Sequence, residues 1–252
     1  MVVKKKYKSY EIFIEGETIN LCIPSIKAIT YGNWASWFNN FSILQSTRHG
    51  IYPNSIANQK KILNEIEIRK DLLVLLIVDK ISFDLCGVIS LQDINLNKKS
   101  AEWAIMIGNK KGLTSKLAPL EATAFLFQHG FKEMGLRRIY CGQRFPMLTS
   151  WIKKCESLGS KTEGIERSSF VRGQDISDVA ISSCLVEDFK KIISVRNGHL
   201  WPGTRKMEKI LNKMPKKTFA EIFKKKFIQE EKLHFKTIFK PNEKLNNFLN
   251  FL

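Results

Sequence analysis

Between Ala101 and Leu136 the chain passes from an apolar strand pattern, through a short Lys/Gly/Ser/Thr loop, into a long amphipathic helix pattern. The apolar run ends at Gly108 and the helical pattern begins near Thr114. Pro119 fits a helix only in its first turn, which places the helix N-terminus near Ala118. Leu117, Leu120, Ala124, Phe127 and Phe131 then recur at steps of three and four, a single broad stripe to bury against a sheet. Gly135 is the expected left-handed cap. A strand that feeds a loop and then a helix leaves unpaired backbone N–H groups at the helix start, which together form a cradle for an anion.

The rest of the chain extends this into a mixed α/β pattern. Thr18 to Ile23 reads as a strand, Pro24-Ser25 as a turn and cap, and Ile26 to Phe38 as a helix stopped by Asn39-Asn40. Residues 41 to 54 read as a loop, and Ser55 caps a helix from Ile56 to about Arg69. Leu72 to Val78, Leu85 to Ile94 and Ser100 to Ile107 form an expected antiparallel meander. Beyond the central helix come a strand at Arg138 to Gly142, a helix at Thr149 to Leu158 ended by Gly159, and strands at Gly164 to Val171 and Val179 to Leu185. Strands and helices alternate, so a central sheet flanked by helices is the expected fold class, α/β in the α+β sense.

After Val186 the character changes. Trp201-Pro202-Gly203 breaks the chain, Thr204 is the expected cap of a helix from Arg205 to Met214, and a last helix spans Lys217 to Leu233. The expected division is a core domain at 1–188 and a basic helical extension at 189–252, packed through Ile210, Leu211, Phe219, Ile222, Phe223 and Phe227. The formal net charge is +17, of which +11 falls after residue 188. The core therefore needs no polyanion to explain its charge. Of the 41 cationic side chains 32 are Lys and only 9 Arg, a balance that disfavours a nucleic-acid-binding arm. The five cysteines stand singly with no metal spacing, so neither zinc nor a disulfide framework is expected. No stretch has the roughly 20 apolar residues that a membrane span needs, and a cytoplasmic location is expected.

The segments Gly16-Glu-Thr-Ile-Asn-Leu21, Asn33-Trp-Ala-Ser-Trp-Phe-Asn-Asn40, Tyr52-Pro-Asn-Ser-Ile-Ala-Asn-Gln59, Gly87-Val-Ile-Ser-Leu-Gln-Asp-Ile-Asn95, Ala101-Glu-Trp-Ala-Ile-Met-Ile-Gly108 and Leu120-Glu-Ala through Leu136-Arg-Arg-Ile139 resemble the GNAT acyl-CoA N-acyltransferases. The match over about residues 16 to 186 is with the branch of ribosomal-protein N-terminal and nucleotide-sugar N-acetyltransferases. The resemblance implies a mostly antiparallel mixed sheet and acetyl-CoA as cosubstrate. It implies that backbone N–H groups around Ile105, Met106 and Ile107 hold the thioester carbonyl. It also implies a pyrophosphate-binding loop at Lys111, Gly112, Leu113, Thr114, Ser115, Lys116 and Leu117, where one glycine stands in place of the family's usual two.

Acetyl transfer to an amine needs a neutral amine, a polarised carbonyl and a proton for the departing thiolate. Glu102 matches the family's strand carboxylate, on the pleat face of Ala104 and Met106, and an acid on an apolar strand is expected to have a raised pKa. For the donor, the family's helix tyrosine falls here on Cys155, with Ser150 the runner-up. Arg48, His49 and Tyr52 lie in the loop that the family places over the acceptor. The expected reaction is N-acetylation of a small amine, an amino-sugar nucleotide first, with a protein N-terminus as the close alternative. A non-catalytic GNAT-like binding module is the reading of a different class, and a homodimer is compatible with any of these.

Overall fold

The computed structural model describes residues 10–47, 52–236 and 238. One eight-stranded sheet runs in the order β1-β2-β3-β4-β5-β6-β8-β7. Its strands are β1 (Ile12–Glu15), β2 (Ile19–Cys22), β3 (Leu73–Asp79), β4 (Leu85–Asn95), β5 (Ser100–Ile107), β6 (Arg138–Phe145), β7 (Lys161–Arg172) and β8 (Asp175–Leu185). Every neighbouring pair is antiparallel except β5 with β6. The helices are α1 (Ile26–Tyr31), α2 (Trp34–Trp37), α3 (Phe41–Leu44), α4 (Ile56–Ile68), α5 (Ala118–Lys132), α6 (Thr149–Glu156), α7 (Val186–Ser194), α8 (Thr204–Lys213) and α9 (Phe219–His234), with a 3-10 turn at Lys110–Gly112.

The sheet separates two cores. On one face α5 buries Leu120, Ala124, Phe127 and Phe131 against Ile89, Leu91, Ala101, Trp103 and Ile139. This is the stripe anticipated from the helical spacing, and each of its Leu and Phe side chains contributes about 1.5–3 kcal/mol on leaving water. Gly135 adopts φ 65°, as a left-handed cap requires. On the other face Ile29, Trp34, Trp37, Leu44 and Leu63 of α1–α4 pack on Leu76, Val78, Leu85 and Met106. Trp37 approaches so closely that a Cβ on Gly108 would lie 1.9 Å from its ring, so only glycine fits where β5 ends. Glu121, buried in the first turn of α5, accepts from Glu17 N, Thr18 N and the Thr18 hydroxyl, tying that helix to the β1–β2 turn. Burial pushes its carboxyl up despite those donors.

Several expectations are corrected. The helix read as Ile26 to Phe38 is broken at Gly32, where a Cβ would meet Ala28 O at 2.4 Å and Leu85 at 2.8 Å; the chain there turns extended. Strand β1, an edge strand of mostly exposed residues, lacked the periodicity that reveals a buried strand. A short α3 stands in the stretch read as loop. Thr204 is not a side-chain cap; the cap position belongs to Gly203. The aromatics of α9 are only half-buried, and its anchor is Ala220 in a small core with Phe145, Ile152 and Ala180.

The 188/189 boundary falls inside α7. Beyond it Phe189, Leu200, Trp201 and Met207 are buried in the same core as α5, and Phe189 stacks on Phe131 with ring centroids 4.9 Å apart. No helix among the described residues is long and apolar enough to cross a membrane.

Candidate active site

The site is set by where two parallel strands part. β5 and β6 pair only at Ser100–Arg138, Ala101–Ile139 and Glu102–Tyr140. Past Glu102 the strands diverge, and among the described residues none of 103–107 has a register partner in β6. On its other side β5 pairs continuously with β4, Glu102 opposite Gln92 through Ile107 opposite Gly87. Gly108 N donates to Cys86 O at 2.9 Å, which fixes the phase of that ladder. Because antiparallel hydrogen-bonded pairs alternate, Ala104 and Met106 direct their N–H groups at β4, while Ile105 and Ile107 direct theirs into the opening. Of the three residues expected to hold a carbonyl, the ladder leaves Ile105 and Ile107 free to donate. Met106 instead buries its side chain among α1–α4.

Glu102 lies at the apex of the opening, half-exposed, on the face it shares with exposed Ala104. Its register neighbour Tyr140 points to that face too. Burial pushes the Tyr140 phenol up, and the charges of Glu102 and Asp93 push it further, so it is protonated at neutral pH. A carboxylate and a protonated phenol thus meet where the strands part. Sequence reading missed Tyr140: it is one polar residue on an alternating strand, and only the parallel register with Glu102 gives it meaning. Arg138 closes one end of this floor through its pair with Glu163 and a bond to Ser183 Oγ at 3.1 Å.

The wall over this face comes from α2 to α4. Asn39 and Asn54 clasp each other: Asn39 Nδ2 donates to Asn54 O and Asn54 N to Asn39 Oδ1, both at 2.7 Å. Arg144 donates to Gln45 O at 2.7 Å, and Arg172 to Leu44 O at 3.0 Å and Thr47 O at 2.9 Å, so two guanidinium groups of β6 and β7 hold the end of α3. Arg48 and His49 lie outside the described residues. Tyr52 is 83% exposed.

The proposed donors on α6 are placed differently from each other. Cys155 is 1% exposed inside the α5 core, and burial pushes its thiol up to about 12. Ser150 is exposed at the head of α6. Beside Cys155 sits Gln143 of β6, 4% exposed, whose Nε2 lies 3.7 Å from Cys155 Sγ and whose Oε1 has no hydrogen-bond partner among the described residues. It belongs to the part of β6 that has parted from β5.

The loop between β5 and α5 is largely closed on itself. Gly112 N donates to Asn109 Oδ1 at 3.0 Å, Leu113 N to Lys110 O at 3.4 Å, Leu117 N to Ser115 Oγ at 3.2 Å and Ala118 N to Ser115 O at 3.3 Å. Thr114 gives both its N–H and its hydroxyl to Asp79 Oδ2, each at 2.8 Å. The fully buried Asp79 also accepts Ile81 N at 3.0 Å and Ser82 N at 2.9 Å on its other oxygen. Burial pushes the Asp79 carboxyl up, but the donors of Ser82, Thr114 and Ile81 outweigh it and hold it below the usual carboxylate range. Lys110, Lys111 and Lys116 stand exposed on the rim.

No protein-family model and no curated protein matches the sequence. Solved structures do. A spermidine N-acetyltransferase from Vibrio cholerae, solved with CoA and spermine, superposes with TM-score 0.62 at 17% identity over 69% of this chain and 98% of its own. A GNAT-family acetyltransferase from Bacillus anthracis gives TM-score 0.58 at 18% identity, covering 70% and 99% of the two chains. A microcin self-immunity acetyltransferase, solved with acetyl-CoA and AMP, gives 0.56 at 19%, covering 67% and 93%. The chain has the GNAT acetyltransferase fold.

Proposed function

We propose that this protein is an acetyl-CoA-dependent N-acetyltransferase acting on a primary amine. The observation that carries the reading is the parting of β5 and β6, with the Ile105 and Ile107 N–H groups unpaired on one side and Glu102 beside Tyr140 at the apex. The residues present fit the acyl end of such a cosubstrate: two backbone donors about 6.6 Å apart along one strand suit two successive carbonyls of an extended thioester arm, and the orphaned Gln143 Oε1 suits an amide N–H of that arm. When bound, acetyl-CoA supplies a thioester carbonyl open to attack and a thiolate leaving group.

The chain's own groups then divide the work. One of the Ile105 and Ile107 amides donates to the thioester carbonyl oxygen and stabilises the charge that grows on it, a contribution of about 3–4 kcal/mol for a well-placed donor of this kind; the other, about 6.6 Å further along the strand, serves a carbonyl of the pantetheine arm. Glu102 takes the proton that the acceptor ammonium must lose, directly or through one water. The Tyr140 hydroxyl, held protonated by its surroundings, donates toward the departing sulfur. Cys155 is a poorer donor because its thiol is enclosed; Ser150 remains the reachable alternative on α6. Arg144 and Arg172, by holding α3, set the wall over the acceptor.

The resemblance that singled out Asn33–Asn40 and Tyr52–Gln59 favours an amino-sugar nucleotide as acceptor, with a protein N-terminus as alternative. The test is release of CoA thiol from acetyl-CoA with three acceptor sets: amino-sugar nucleotides, polyamines and N-terminal peptides. Turnover with a sugar nucleotide supports the full reading, and turnover with peptides or polyamines alone overturns that acceptor while keeping the chemistry. Absence of turnover with all three, together with no acetyl-CoA binding, favours the non-catalytic module.

A further inference from the structure

The loop before α5 is where the fold would hold the phosphates of an acyl donor, and in this chain most of its donors are already engaged. Gly112, Leu113, Thr114, Leu117 and Ala118 all give their N–H groups to acceptors within the protein. Pro119, next in line, has no N–H to give. The acceptor at Thr114 is itself an anion, the buried carboxylate of Asp79, taking two donors from the loop and two from the β3–β4 turn. A phosphate entering there would have to displace a carboxylate that is satisfied on both oxygens, and would meet its like charge at close range. What the loop still offers a polyanion is the Ser115 and Lys116 N–H groups, which find no acceptor among the described residues, and the exposed ammonium groups of Lys110, Lys111 and Lys116, which act through water and are weakened by salt.

We propose that Asp79 is an internal stand-in for the donor phosphate. On this view the protein recognises its acyl donor through the pantetheine arm and reads the nucleotide end only weakly. The inference rests on the acyltransferase reading above, because it concerns how the same opening is filled. It narrows the substrate class to pantetheine thioesters in general, with CoA as one member of the class rather than the required one. Gln143 Oε1 and the Ile105 and Ile107 amides recognise only parts common to all such thioesters.

The test is calorimetric and needs no turnover. CoA, pantetheine and the isolated adenosine bisphosphate end of CoA are titrated into the full-length protein at near-physiological salt. The account expects pantetheine to bind within about tenfold of CoA, a difference near 1.4 kcal/mol, and the adenosine bisphosphate to show no measurable heat. CoA binding about a hundredfold or more tighter than pantetheine, or tight binding of the adenosine bisphosphate alone, overturns the proposal and leaves the transferase reading intact. Failure of CoA and pantetheine alike overturns both. As a second measurement, Asp79→Asn, checked as folded by its melt, removes the internal charge and is expected to bring adenosine bisphosphate binding into the measurable range, roughly tenfold or more above the wild-type limit. Binding that stays unmeasurable counts against the proposal.

Discussion

Replacing Asp79 tests the loop directly, because the carboxylate has no exposure and four hydrogen bonds. Hydrogen bonds to a charged group contribute about 1.5–3 kcal/mol each, so four would sum to well over 6 if independent. They are not independent, and the cost of burying the carboxylate offsets several kcal/mol. The partners Ile81 and Thr114 are also exposed residues, whose freed donors can turn to water. A net loss of about 3 kcal/mol for Asp79→Ala is therefore expected, a fall in melting midpoint of roughly 6–12 °C for a chain of this size. Asp79→Asn keeps an oxygen for the Ile81 and Ser82 amides but turns an NH₂ toward the Thr114 donors, so about half that loss is expected.

The acid limb of stability gives a second reading of the same substitution. The folded pKa of Asp79 lies below its unfolded value of 3.8. Its contribution is therefore present above that value and is lost as pH falls through the folded pKa. Both variants should flatten the acid limb in that window and leave the neutral limb lower but parallel. The assay is a set of urea or thermal melts between neutral pH and the acid transition. An Asp79→Ala protein that melts within about 2 °C of wild type, under 1 kcal/mol, would refute the assignment of Asp79 as the tie of this loop.

Other substitutions separate chemistry from packing. Glu102→Gln should lower kcat/KM for the amine by about 10²–10⁴ if it is the base, with a melting midpoint close to wild type. Tyr140→Phe should lower kcat with little change in the affinity for acetyl-CoA, and a kcat equal to wild type would remove the phenol from the mechanism. Cys155→Ala should leave turnover within a few-fold of wild type at neutral pH and appear only in stability, since the thiol is enclosed and pushed up to about 12; a large loss of kcat without loss of stability would restore it as the donor. Phe189→Ala should cost about 3–5 kcal/mol, although it lies beyond residue 188, because its ring stacks on Phe131 in the main core.

Much of this fold was legible because long apolar elements carry their own period. The stripe of α5, the strand β5 to its exact ends and the cap at Gly135 all follow from local spacing and one backbone requirement. The break at Gly32 was not legible, since it comes from Leu85 approaching from a distant strand. Edge strand β1 exposes most of its residues and so leaves no pattern to read. The site divides in the same way. Glu102 was visible as an acid on an apolar strand, whereas Tyr140 depends on a parallel register between segments some forty residues apart. Asp79 was hidden for a related reason: nothing near it in sequence says that its partner is Thr114, across the β3–β4 turn and the whole of β4 and β5. Cys155 illustrates the converse, a residue reached by counting within a motif that the structure places deep in the core.

Hydrogen–deuterium exchange of the β5 amides with and without acetyl-CoA tests the central claim most directly. The account predicts that Ile105 and Ile107, unpaired in the opening, exchange quickly in the free protein and are protected by acetyl-CoA, while Ala104 and Met106, bonded to β4, are slow in both states. Protection that ignores this alternation, or amides of Ile105 and Ile107 that do not respond to saturating acetyl-CoA, would contradict the assignment of the parted strands as the acyl site.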